Sequence, residues 1–176
     1  FTDKIKQLGY QLSDEKLTKA FVAFKALTDQ KKEVTDDDLF AILTDIQTDT
    51  SNAKRYTLDG FKVKYDTSEK PSATITLTTP DDKQIEQTDT GQGSVDALYH
   101  TLDNMIREET HLTDFQLNSI GQGRDALAEV HVSLIVDKIE VSGRGSAQDV
   151  LEAAVLAYLN GVNRAIYQKR VNATVK

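Results

Sequence analysis

The chain has 176 residues, with 28 acidic and 21 basic side chains for a net charge of −7, and is 39% hydrophobic and 28% charged. That is the composition of one globular domain, or of a domain with a short appendage, and nine glycines with two prolines exclude a collagen-like or low-complexity chain. The absence of cysteine removes disulfides, thiolate metal sites and cysteine nucleophiles and suits the cytoplasm, while the acidic balance argues against nucleic acid or a membrane surface as a partner.

The chain opens on Phe1. Phe1, Ile5 and Leu8 stand at helical spacing before Gly9, a charged amphipathic pattern unlike a secretory leader, so the chain reads as an excised part of a longer protein. Ser13 is the expected N-cap of a helix whose apolar face runs through Leu17, Ala20, Phe21, Phe24 and Leu27. Thr35 ahead of Asp36, Asp37 and Asp38 marks another helix start, with acids at the positive end of the dipole. Leu39, Ile42, Leu43 and Ile46 form its apolar face. The polar stretch 47–55 reads as a linker, which predicts a helical subdomain over 1–50 and a second domain over 51–176.

The apolar period then changes from 3.6 to 2. Phe61, Val63 and Tyr65, then Ala73, Ile75 and Leu77, then Ile85 to Thr88 predict three antiparallel strands, with Pro80-Asp81-Asp82 as a turn. Gly91-Gln92-Gly93 closes the set, and Val95, Leu98, Tyr99, Leu102, Met105 and Ile106 share a helix face. The pattern recurs. Strands are expected through Leu112 to Ile120, through the strict alternation Val130, Val132, Leu134, Val136, and through Ile139 and Val141. A long helix through Val150, Leu151, Ala154, Val155, Tyr158, Leu159 and Val162 follows. Gly91-Gln92-Gly93-Ser94 and Gly143-Arg144-Gly145-Ser146 are expected in equivalent places, each closing three strands and opening a helix. The fold class is therefore α+β, a duplicated βββα unit behind a short helical subdomain. Each sheet has one face covered by a helix, and its other face is expected to need a partner, a second copy of the chain.

The residues do not assemble a catalytic constellation. His100, His111 and His131 include no pair at HxH or HxxxH spacing. Glu129 and His131 can share a strand face, but two ligands do not make a metal site, and they read as solvated or core-edge residues. The glycine turns say more. A glycine before a helix lets backbone N–H groups converge on an anion. Asp96 and Gln148 stand where a dinucleotide fingerprint needs its third glycine, so a small carboxylate or phosphate is the ligand such a turn can hold, the alternative being a plain tight turn. Gly121-Gln122-Gly123, followed by Arg124, Asp125, Ala126 and Glu129, adds an acid able to meet an ammonium group. Val95, Leu112 and Phe115 supply an apolar wall. The combination points to a free amino acid rather than a nucleotide.

The segments Gly91 to Ala97, Gly121 to Val130, Gly143 to Val150 and Ala157 to Arg164, in this order, closely resemble the C-terminal regulatory domain of the 2-isopropylmalate synthases. Citramalate and homocitrate synthases carry related domains. The front segment, with Phe21, Phe24 to Lys32 and Asp38-Leu39, resembles the linker subdomain that precedes it. The resemblance implies a homodimer that binds leucine near its interface and passes feedback inhibition to a catalytic TIM barrel, which condenses acetyl-CoA with 2-oxoisovalerate. It implies no cofactor in these residues. The divalent metal belongs to the barrel, whose Asp and HxH ligands do not occur here. Carried over by motif, the effector-binding residues are Gly91, Gly93, Val95, Asp96, Leu112, Phe115, Ser119 and Ala126. Ser94 stands where many relatives have proline, which exchanges a preset φ for a hydroxyl near the open amides. An isoleucine-sensing domain of a citramalate synthase and a purely structural dimerisation module remain as alternatives.

Overall fold

The computed structural model describes residues 1–7, 12–36, 38–39, 42–43, 46, 55–121, 123 and 126–174. Helix α1 spans Thr2–Gln7 and α2 spans Asp14–Gln30. Ser13 caps α2, its hydroxyl accepting from the Lys16 amide at 3.5 Å. Ala20 and Leu27 of the expected face are buried, and Leu17 and Phe24 pack beside them. Phe21 stays half exposed, its ring edge-on to Phe1. The residues from Asp36 to Ile46 that are described are helical, and Ile42 and Leu43 join Ile5, Ala20 and Leu27 in one small apolar cluster. Thr35 and Asp38 form a reciprocal cap: the Asp38 amide donates to Thr35 Oγ1 at 3.2 Å and the Thr35 amide to Asp38 Oδ2 at 2.9 Å. Leu8, Gly9, Asp37 and the stretch 47–54 lie outside the described residues.

Two βββα units follow. Strands β1 (Thr57–Asp66), β2 (Glu69–Thr78) and β3 (Gln84–Thr90) form one antiparallel meander, followed by α3 (Ser94–Met105). Strands β4 (Thr110–Ile120), β5 (Leu127–Val136) and β6 (Ile139–Ala147) form the second, followed by α4 (Val150–Thr174). The β5–β6 hairpin turns on Asp137 and Lys138, both at positive φ (46° and 71°), the pair of values a tight two-residue turn demands. The duplicated α+β organisation read from the periodicity is present.

Both sheets turn their apolar faces to one core. Ala73, Ile75 and Leu77 of β2 and Val130, Val132, Leu134 and Val136 of β5 are buried with the inner faces of α3 and α4. Each such valine, leucine or isoleucine removed from water contributes about 1.5–3 kcal/mol. The helices touch directly. The Tyr99 hydroxyl donates to the Ala154 carbonyl at 2.8 Å, Tyr158 donates to Asp103, and the two rings lie 5.0 Å apart. A step from 99 to 103 on one helix matches a step from 154 to 158 on the other, so α3 and α4 run in the same direction and their N-termini lie at the same end of the domain.

Two expectations are corrected. Gly143-Arg144-Gly145 does not close the second set of strands; it lies inside β6. The counterpart of Gly93 is Asp149, which stands one residue before α4 as Gly93 stands one residue before α3. Gly143 and Gly145 serve packing instead. A Cβ on Gly143 would lie 2.0 Å from the Ala157 carbonyl oxygen, and one on Gly145 would lie 2.2 Å from that of Ala153. Their absence lets α4 rest directly on β6. The second correction concerns the outer sheet face of the first unit, which is polar and not in need of cover. Thr74 bonds Thr88, Thr76 bonds Glu86 and Thr78 bonds Asp59 across it. The apolar side chains left half open lie at the rims, among them Leu112 and Leu117 on edge strand β4.

Candidate functional site

Helix α3 begins after a turn built on two glycines with different reasons. A Cβ on Gly91 would lie 2.3 Å from the Ala97 amide nitrogen, so only glycine permits that approach to the first helical turn. Gly93 is the N-cap residue, with an extended φ of −143° that any residue adopts, and nothing lies within 4 Å of the place where its Cβ would be. Among the described residues, no side chain caps this helix start. Asp96 does not fill it: its Oδ2 accepts from the Gln92 amide at 2.8 Å, which fastens the turn, and its Oδ1 lies 3.5 Å from His100 Nε2. The amides of the first turn therefore face outward with the positive end of the dipole behind them.

The second unit shows the same start filled. The Ala153 amide reaches the Asp149 carbonyl at 3.0 Å, as the Ala97 amide reaches that of Gly93 at 2.9 Å. At α4, however, Asp149 Oδ1 accepts from the Leu151 and Glu152 amides, at 2.8 and 3.2 Å. A carboxylate from the chain itself sits on the start of α4. At α3 the corresponding residue is glycine.

The expected residues fall into groups. Gly91, Gly93, Val95 and Asp96 surround the α3 start. Strand β4 approaches through Phe115, whose ring centroid lies 6.1 Å from that of Tyr99, one turn beyond Val95. Ser119 lies near the end of β4, and Ala126, whose amide donates to the Gly123 carbonyl at 3.4 Å, precedes β5. That end of the second sheet leads, through Ala147, to the start of α4, and so lies level with the start of α3. Leu112 stands at the opposite end of β4. Seven steps of strand separate it from Ser119, about 23 Å at ~3.3 Å per residue, so one small ligand does not reach both within a single chain. Leu117, which the sequence reading did not select, pairs with Val130 on the helix-facing side and is 49% exposed. The period-2 step from Phe115 was the signal for it; a bulge between Leu112 and Asp114 breaks the count on the other side. Gly121 and Gly123 both adopt left-handed φ values, 90° and 78°, so these turn glycines are conformational. Gln122, Arg124 and Asp125 lie outside the described residues.

Of the two places expected for Glu129 and His131, solvated or at the core edge, the structure gives the second: Glu129 is buried and His131 half-buried. His131 hydrogen-bonds Glu129, Arg144 Nη2 donates to Glu129 Oε2 at 3.0 Å, and Asp38 joins them from the helical segment. Ligand atoms of Asp38, Glu129 and His131 lie within 4.8 Å of one another, but both carboxylates are already matched by cations, Asp38 by Lys31 at 2.8 Å and Glu129 by Arg144. This donor set is an ion-pair network and does not suit a metal. Burial raises both carboxyl pKa values, and the cations and hydrogen bonds outweigh it and hold them below the ordinary carboxylate range. Burial dominates elsewhere: it raises Asp103, and it pushes Tyr56 up to about 12.

The fold and the site define a duplicated βββα domain with one open, glycine-built helix start beside a half-covered edge strand. Residues 33–166 match the family model described as the LeuA allosteric (dimerisation) domain, and the chain belongs to that family. It is 51% identical over 99% of its length to the 2-isopropylmalate synthase of Oceanobacillus iheyensis. It is 48% identical over its full length to that of Shouchella clausii, and 42% identical over 98% to that of Lysinibacillus sphaericus. It spans 34–35% of the length of these relatives.

Proposed function

We propose that this chain is the effector-binding and dimer-forming part of a 2-isopropylmalate synthase, and that its effector is leucine. Binding restrains condensation of acetyl-CoA with 2-oxoisovalerate by a catalytic barrel in the same polypeptide. The observation that carries the reading is the contrast between the two helix starts. Asp149 places a carboxylate on the amides of α4, whereas Gly93 leaves the equivalent amides of α3 open with space for the carboxylate of a free amino acid. Val95, Phe115 and Leu117 offer an apolar wall for its side chain, with Ser119 and Ala126 at the same end. Leu112 contributes only through the partner copy of a dimer.

Gly93→Val tests this. Its backbone accepts any side chain and its Cβ meets nothing, so the variant is expected to keep the parental fold by circular dichroism and lose leucine binding by calorimetry. Parental affinity in a folded variant would make Gly93 an ordinary turn residue. Parallel titrations with leucine, isoleucine and valine settle the effector, since a methyl group moved within an apolar pocket changes affinity by about 1–3 kcal/mol.

A further inference from the structure

We propose that Arg144 is the joint through which the second βββα unit holds and moves the N-terminal helical segment. This deepens the effector reading above and rests on it for the signal that the joint passes on. Among the described residues, the helical segment and the βββα units have separate apolar clusters. The contact that crosses between them at Arg144 is ionic and buried. Because Gly143 and Gly145 face α4, the residue between them faces the opposite side of the sheet. There Arg144 Nη2 binds Glu129 Oε2 and Nη1 lies 3.8 Å from Asp38 Oδ1. Asp38 and Glu129 are each 1% exposed. Asp38 is in turn fixed to its own segment by Lys31, by the Thr35 amide and by the Thr35 hydroxyl.

The same residue is tied to α4. Asn160 Nδ2 donates to the Arg144 carbonyl at 2.6 Å, and the glycines on either side seat α4 backbone against β6. A continuous series of contacts thus leads from the open start of α3, through Tyr99 and Tyr158, to α4, then through Asn160 and the glycine seats to Arg144, and across to Asp38. Close-packed elements of this kind shift as bodies rather than deform. A shift of α3 on effector binding therefore reaches the helical segment at Asp38. The Gly-Arg-Gly sequence combines two roles: the glycines hold the helix on one face, and the arginine grips the neighbouring segment on the other.

The test is amide hydrogen exchange at Thr35 and Asp38 in the 176-residue chain, with and without leucine, in the parent and in Arg144→Met. In the parent, saturating leucine is expected to slow both amides by about threefold or more. In Arg144→Met their leucine-free exchange is expected to rise about tenfold, as a segment loses its hold. The variant should still bind leucine within about threefold of parental affinity, with no slowing transmitted, because binding and transmission are separable when the link is cut. Asp38→Asn cuts the joint from the other side and serves if Arg144→Met does not fold. A variant that keeps the leucine-linked slowing overturns the proposal. A parent that fails to bind leucine overturns the effector reading instead. The leucine-free comparison still judges the joint in that case, where unchanged exchange in Arg144→Met refutes it.

Discussion

Gly143→Ala adds one methyl group where α4 rests on β6, and the structure sets its cost. The new Cβ would lie 2.0 Å from the Ala157 carbonyl oxygen, 2.6 Å from the Gly161 amide nitrogen and 2.9 Å from the Gly161 Cα. All three are backbone atoms of a helix, so no side chain can rotate away. Ordinary contact needs more than 3 Å, so the helix must lift by about an ångström, which loosens the contacts of Ala153, Ala157 and Gly161 together. Overpacking of this kind costs about 1–3 kcal/mol, and the backbone contact puts this site at the upper end. For a chain of this size each kcal/mol lowers the melting midpoint by about 2–4 °C, which gives a fall of about 6–12 °C. Gly93→Ala is the control. It adds the same methyl group at a glycine with ordinary φ and open space, and its midpoint is expected within about 2 °C of the parent. Thermal melts of the three proteins by circular dichroism decide the matter. A Gly143→Ala protein that melts with the parent would show that α4 does not sit on β6 as described.

Further outcomes are expected. The chain should be a twofold homodimer burying more than about 2,000 Å²; a monomer by light scattering at micromolar concentration, with and without leucine, contradicts this. Leucine at one hundred times its Kd should stabilise the chain by about 2.7 kcal/mol through linkage, raising the midpoint by about 5–11 °C. Ala126→Phe should remove that shift while the domain stays folded; a folded variant that keeps it places the pocket away from Ala126. Asp38 and Glu129 are held below their ordinary pKa values of 3.8 and 4.5, so the folded chain binds these protons more weakly than the unfolded chain. Their contribution to stability is complete above those ordinary values and is lost as pH falls through the depressed ones. The loss of stability from about pH 5 to about pH 2 should be smaller in Glu129→Gln than in the parent; an equal loss refutes the assignment.

The sequence carried the duplicated fold because two periodicities alternate cleanly along it. Val130, Val132, Leu134 and Val136 could only be one face of a strand, and Leu98, Leu102 and Met105 only one face of a helix. Local chemistry was legible too, as at Ser13 and Thr35, where a side chain answers amides three residues away. What failed depended on contacts distant in sequence. Two Gly-x-Gly-Ser motifs read as equivalent turns, yet one opens a helix and the other lies within a strand, because close approach by α4 rather than a turn demands Gly143 and Gly145. Glu129 and His131 read as solvated or core-edge residues, and the ion-pair network they enter was not legible, since nothing in their strand announces that Lys31 and Asp38 arrive from another segment. Leu112 entered with the family motif, and its distance from Ser119 along β4 is set by the length of the strand, which a motif does not carry.

The proposed function stands or falls on a free carboxylate at the open start of α3. The backbone amide resonances of Ser94, Val95 and Asp96, followed during titration with leucine and, separately, with leucinamide, report on that place. Leucine is expected to displace these resonances more than those at the start of α4, where Asp149 already holds the amides, and leucinamide, which lacks the carboxylate, to leave them in place. Equal displacement by both compounds, or leucine-linked changes confined to other parts of the chain, would contradict it.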